Sequence, residues 1–168
     1  MGSYVIRVLR LVIAIALAGS LVVQAVLIPL LWVDMEDLAT GPRVTLVAIF
    51  FLGVLCLQVI AVCVWRLLTM VRRGTVFSTA AFRYVDVVIG AIAAASVLVL
   101  GIAVVSAVLN RTTDGDVVPP GIVGLICGIA LVVGGVALVV YVMRTLLVQA
   151  VQTAARAEHL RSELDEVI

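Results

Sequence analysis

The stretch RLLTMVRRGTVFSTAAFR, from Arg66 to Arg83, decides how this chain folds. It sets Arg66, Arg72, Arg73 and Arg83 between two apolar runs of about 20 residues or more, each long enough to cross a hydrocarbon core as a helix. Gly74 suits a left-handed helix stop and Ser78 suits an N-cap for the helix that follows. Phe77, just before that cap, is placed to pack on Phe82 as a hydrophobic staple. A turn this short makes the flanking helices an antiparallel hairpin.

Working outward, the other arginines fall into register with this turn. Arg7 and Arg10 precede the first apolar run, and Arg144, Arg156 and Arg161 follow the last; only Arg43 and Arg111 lie on the opposite side. The opposite side is acidic instead, with Asp34, Glu36, Asp37, Asp114 and Asp116. By the positive-inside rule both termini and the Arg66–Arg83 turn are cytoplasmic. The expected fold is an all-α integral membrane protein, an antiparallel four-helix bundle with N-in/C-in topology.

Composition agrees. The chain is 65% hydrophobic and 12% charged, against roughly half and a quarter in soluble domains, and four spans leave no room in 168 residues for a soluble domain as well. All cationic residues are arginine; the absence of lysine beside abundant Val, Ala, Gly and Arg resembles the codon bias of a high-GC bacterium. The expected location is therefore a bacterial inner membrane. Cys56, Cys63 and Cys127 fall within the spans, away from the oxidising face where disulfides persist, and read as small packing residues.

Helices are expected at about residues 5–33, 44–72, 78–109 and 121–165, forming a single domain. The first resembles a secretory signal but stays apolar through Trp32 and Val33, beyond a 7–15-residue signal core, so a retained span is expected. Gly41-Pro42 ends the first outer loop and Pro119-Pro120 the second. No proline is expected to interrupt a span, which sets the chain apart from transporters with broken helices. After Arg144 neither Gly nor Pro appears, so the last helix is expected to continue as a long amphipathic cytoplasmic extension. Leu146, Ala150, Ala154, Ala157, Leu160 and Leu164 recur on one face of it. Packing on neighbouring helices, self-association or partner binding, and a membrane-surface role are open to this extension; its acidic end argues against the last.

Arg10, Arg66, Arg83, Asp86 and Arg144 concentrate at the inner ends of the spans and form the candidate polar cluster. An arginine at mid-bilayer costs about 2.5–3.5 kcal/mol on the gentler insertion scale, so each needs the interface or a partner. Asp86 is the one acid in or beside an apolar span. It is expected to neutralise Arg66 or Arg83 and fix the hairpin register; the functional reading makes it part of an ion, proton or lipid-headgroup site. Gln24 and Gln58 are the amides deep in the spans and read as an interhelical pair. Gly90 with Ala94, and Gly124 with Gly128, have the spacing that lets helices approach closely. His159 lacks a second ligand at metal-binding spacing, and no Walker, GxSxG, HExxH or CxxC motif is present. No catalytic residue, cofactor or metal is expected, and the protein is read as a non-enzyme.

The whole chain resembles the uncharacterised bacterial membrane family known as domain of unknown function 2975, the YoaS-like proteins. The likeness rests on four spans in this order, on LLTMVRRGTVFS from Leu67 to Ser78, and on the final helix closing in RSELDEVI. The family has no catalytic residues to carry over. The resemblance implies a small helix-turn-helix regulator as partner, because members are often encoded beside one.

The function expected is a non-enzymatic interaction or regulatory role through the inner face, with Arg72, Arg73, Phe77, Leu160 and Leu164 as the interaction surface. The alternative is a small transporter or channel subunit using Asp86 with Arg66. Expected partners are the lipid bilayer, further copies of the chain and the regulator, without direct nucleic-acid binding.

Overall fold

The computed structural model describes residues 2–36, 38–72, 79–112 and 118–166, and these are helical apart from short connections. In chain order the elements are α1 (Gly2–Val22), a five-residue π-helical turn (Val23–Leu27), α2 (Ile28–Asp34), α3 (Thr40–Arg72), α4 (Thr79–Thr112) and α5 (Pro120–Glu166). Four stretches, Arg7–Asp34, Thr40–Met70, Phe82–Thr112 and Pro120–Ala157, are long and apolar enough to cross a membrane. The chain is thus built as a multi-pass membrane protein.

The first span is not a uniform helix, and the expectation that no proline interrupts a span is overturned by Pro29. Proline has no N–H, and its ring crowds the carbonyl four residues back, here that of Ala25. The backbone widens into a π turn just before it, where the Ile28 N–H donates to the Val23 carbonyl. This wider turn is a known response to a fault in the hydrogen-bond ladder.

Two loop boundaries also differ from the sequence reading. Thr40-Gly41-Pro42 forms the first turn of α3 instead of the end of a loop, because a proline there forfeits only an N–H that has no helical partner. Asn110 belongs to α4, and its side chain reaches the far side of the connection. Its Oδ1 accepts from the Val118 N–H at 2.9 Å, and its Nδ2 donates to the Val118 carbonyl at 2.5 Å.

Register pairs show that successive spans run in opposite directions. Arg10 meets Thr69 and Gln24 meets Gln58 between the first span and α3; Gly101 of α4 lies against Ile49 of α3; Asp86 meets Arg144 and Ser96 meets Ala130 between α4 and α5. Among the described residues, extensive packing joins α1 with α3, α3 with α4, and α4 with α5. The result is a serpentine layer in which, among the described residues, the first helix does not pack extensively on the last to close the bundle into a ring. Lipid is as apolar as Leu, so nothing in the hydrophobic effect forces that closure.

Burial follows from this layout. Among the described residues the buried side chains are mostly small and sit at the seams, including Cys63, Ala103, Ser106, Ala130 and Ala137. Large apolar side chains such as Val97, Leu131 and Leu138 are about two-thirds exposed or more, as befits surfaces covered by lipid or by other membrane helices.

The last helix outruns its neighbours. Because Asp86 pairs with Arg144, the start of α4 at Thr79 comes level with Val151 of α5. From Gln152 to Glu166 the helix continues past that end of the layer, by roughly 20 Å at about 1.5 Å per residue.

Candidate functional site

The arginine-rich end of the layer carries two polar rungs. The first lies between α4 and α5. Arg144 pairs with Asp86: Nη2 donates to Oδ2 at 2.7 Å, and Nε stands 2.7 Å from Oδ1 without making a hydrogen bond. The charge-assisted bond is stronger than a neutral one, and the pair neutralises both groups beside the apolar span. An apolar cleft of about 230 Å³ adjoins it, lined by Leu67, Phe82, Val85, Met143 and Arg144 among others, where α3, α4 and α5 come together.

The expectation that Asp86 neutralises Arg66 or Arg83 is therefore corrected. Arg83 lies one turn before Asp86 on the same helix, yet both Arg83 and Arg66 are exposed and the described ion pair uses Arg144. Facing positions on antiparallel helices let a guanidinium present its flat edge to a carboxylate. An i,i+3 pair with Arg83 is within reach on one helix, but the carboxylate is turned to Arg144 across the seam.

The second rung lies between α1 and α3 and, among the described residues, contains no acid. Arg10 Nη2 donates to Thr69 Oγ1 at 2.8 Å, and the guanidinium carbon lies 5.5 Å from the centre of the Trp65 ring. Thr69 in turn donates to the Trp65 carbonyl at 2.9 Å, so its hydroxyl lone pairs are turned toward Arg10. Arg10 Nε is buried without a hydrogen-bond partner.

Deeper in the same seam, Gln58 Nε2 donates to Gln24 Oε1 at 2.9 Å and to Ser20 Oγ at 3.1 Å, which bears out the expected amide pair and adds Ser20 to it. Gln24 stands in the π turn. At the opposite end Arg43 covers the Trp32 ring at 4.3 Å and donates to the Trp32 carbonyl. These contacts attach the first span to α3 along its length.

The close approach of α4 and α5 is not at the expected glycines. A Cβ added at Gly90, Gly124 or Gly128 would meet nothing within 4 Å, whereas one at Gly134 would lie 3.0 Å from Ser96 Oγ. Ser96 donates to the Ala130 carbonyl at 2.8 Å and is the polar lining residue of an apolar groove of about 500 Å³ along this seam, with Cys127, Leu131 and Leu138. Cys56, Cys63 and Cys127 are free. Among the described residues no three His, Cys, Asp or Glu side chains gather as metal ligands would.

The expected interaction surface is only partly visible. Arg73 and Phe77, with the proposed Phe77–Phe82 staple, lie outside the described residues. Arg72 ends α3 and Leu160 and Leu164 fall in the projecting part of α5, although their side chains are also outside the described set. What the sequence reading missed are Trp65, Thr69, Ser96 and Asn110, uncharged residues whose roles depend on what faces them across a helix pair.

A family model described as a protein of unknown function (DUF2975) matches residues 7–168. The chain belongs to the DUF2975 family. The match runs from Arg7 through the projecting end of α5, so spans and projection are parts of one family unit. Comparison with curated proteins and with solved structures found no match.

Proposed function

We propose that this DUF2975 protein is a non-enzymatic interaction protein of a bacterial inner membrane, working through its cytoplasmic face. The observation that carries the reading is the length of α5. It runs unbroken from Pro120 to Glu166, about 70 Å at about 1.5 Å per residue, where a hydrocarbon core needs about 30 Å. Among the described residues, α4 begins about level with Val151, and α5 continues beyond the start of that neighbour. This continuation carries apolar and charged residues on different faces, the pattern of a helix that docks on a partner. The positive-inside rule directs this end, with Arg72 and Arg73, to the cytoplasm.

The partner is a soluble protein on that side, and the family resemblance suggests a small helix-turn-helix regulator. Such contact would tether or release the regulator without the membrane protein touching nucleic acid. The Asp86–Arg144 rung supports this reading as a structural element: Asp86 is engaged by Arg144, not by the Arg66 of the carrier or channel alternative.

The test is a comparison of native interactomes for the full chain, for a variant lacking residues 156–168 and for Arg72→Glu/Arg73→Glu. Loss of one reproducible soluble partner in both variants, at unchanged membrane levels, supports the proposal. An unchanged interactome in both contradicts it.

A further inference from the structure

We propose that the second polar rung is a binding site for a phosphate-bearing anion, supplied by the headgroup of an anionic phospholipid of the cytoplasmic leaflet. Both rungs lie at the arginine-rich end, but among the described residues Arg144 has a carboxylate and Arg10 has a hydroxyl and an indole face. Neither of Arg10's neighbours removes its charge. Lipid anions are attracted to uncompensated basic pockets between helices on this side of a membrane.

Geometry narrows the ligand. Arg10 is half-buried, placed over the Trp65 ring and tied down by Thr69, and so is not free to snorkel toward water as a solitary arginine would. A guanidinium carries five N–H donors in a fixed fork; Nε is buried within the seam and one Nη2 hydrogen is spent on Thr69, which leaves the other hydrogens of the two terminal nitrogens for a ligand. A planar fork with spare donors matches the oxygens of a phosphate better than a halide or a single carbonyl.

The surroundings identify the source. Arg7, one turn before Arg10, and Arg66, beside Trp65, are both exposed and neither meets an acid among the described residues. Val59, Val62 and Arg66 recur at helical spacing on α3, and both valines are exposed, at 41% and 48%. An apolar stripe therefore leads along α3 to a cation at the interface, which suits acyl chains below and a headgroup above. A free phosphate ion would use the cations but leave the stripe without purpose.

Native mass spectrometry of the full chain, released from nanodiscs containing phosphatidylglycerol and phosphatidylcholine, tests this. The wild type is expected to retain phosphatidylglycerol, and Arg10→Gln to retain at least about tenfold less, with Arg10→Lys intermediate. The Asp86→Asn/Arg144→Gln double variant, which alters the other rung, is expected to retain it like the wild type and so controls for general loosening. Retention that survives millimolar inorganic phosphate assigns the site to lipid; displacement by inorganic phosphate keeps the phosphate site and assigns it to a soluble anion. Equal retention by wild type and a folded Arg10→Gln, or no retention by the wild type, would overturn the proposal.

Discussion

Asp86 and Arg144, 58 residues apart in sequence, meet through two 2.7 Å contacts and set the register of α4 against α5. That register places Thr79 level with Val151 and leaves the end of α5 projecting. Removing one partner strands the other charge beside an apolar span. The side chains are 27% and 48% exposed, so the cost falls between that of a surface pair and a buried one, about 1–3 kcal/mol. Asp86→Asn or Arg144→Gln should each lower the melting temperature in detergent, and the swap Asp86→Arg/Arg144→Asp should recover most of the loss. A double-mutant cycle with no coupling would show that the pair does not hold the register.

At Gly134, α5 lies against the Ser96 side chain of α4. An added methyl at 3.0 Å from Ser96 Oγ displaces the hydroxyl from the Ala130 carbonyl, at a cost of about 1–3 kcal/mol for overpacking. Gly134→Ala should therefore destabilise the protein, while Gly128→Ala, whose Cβ meets nothing, should leave the melting temperature nearly unchanged. The order of the two melting temperatures is the check.

Gln58 joins α3 to the first span through Gln24 and Ser20. Interhelical hydrogen bonds in membranes are worth about 0.6–2 kcal/mol, so Gln58→Leu should cost about that much. Gln24→Leu/Gln58→Leu should cost less than the sum of the single changes, because no amide is then left unpaired. Reversible unfolding in mixed micelles measures both.

The Asn110 side chain bridges the connection between α4 and α5 by bonding both the N–H and the carbonyl of Val118. Asn110→Ala should lose about 1–3 kcal/mol of local order, at about 0.5–1.5 per bond. The expected outcome is faster proteolytic nicking between Thr112 and Pro120, with the global melting temperature reduced less than by Gly134→Ala.

The spans were legible because a helix in lipid must keep about 20 apolar residues in a row, a signal that no tertiary detail obscures. The Gln24–Gln58 pair was legible for a related reason: two amides amid hydrocarbon have few other partners. Asp86's partner was not legible, since Arg66, Arg83 and Arg144 are equivalent in sequence and only the register of α4 on α5 distinguishes them. Close approach was misread because Gly spacing records where a helix is smooth, not what faces it; Gly134 matters because Ser96 stands opposite. Pro29 was passed over because its neighbours are all apolar, and the π turn before it is a backbone response that hydropathy does not encode.

In the proposed function, the end of α5 meets a soluble protein on the cytoplasmic side. A photo-cross-linking amino acid placed at Ala157, an exposed position on the projecting helix, and activated in intact native membranes tests it most directly. The account predicts one reproducible adduct with a soluble cytoplasmic protein, lost when Arg72 and Arg73 are changed to glutamate. Adducts only with further copies of the chain or with lipid would contradict it.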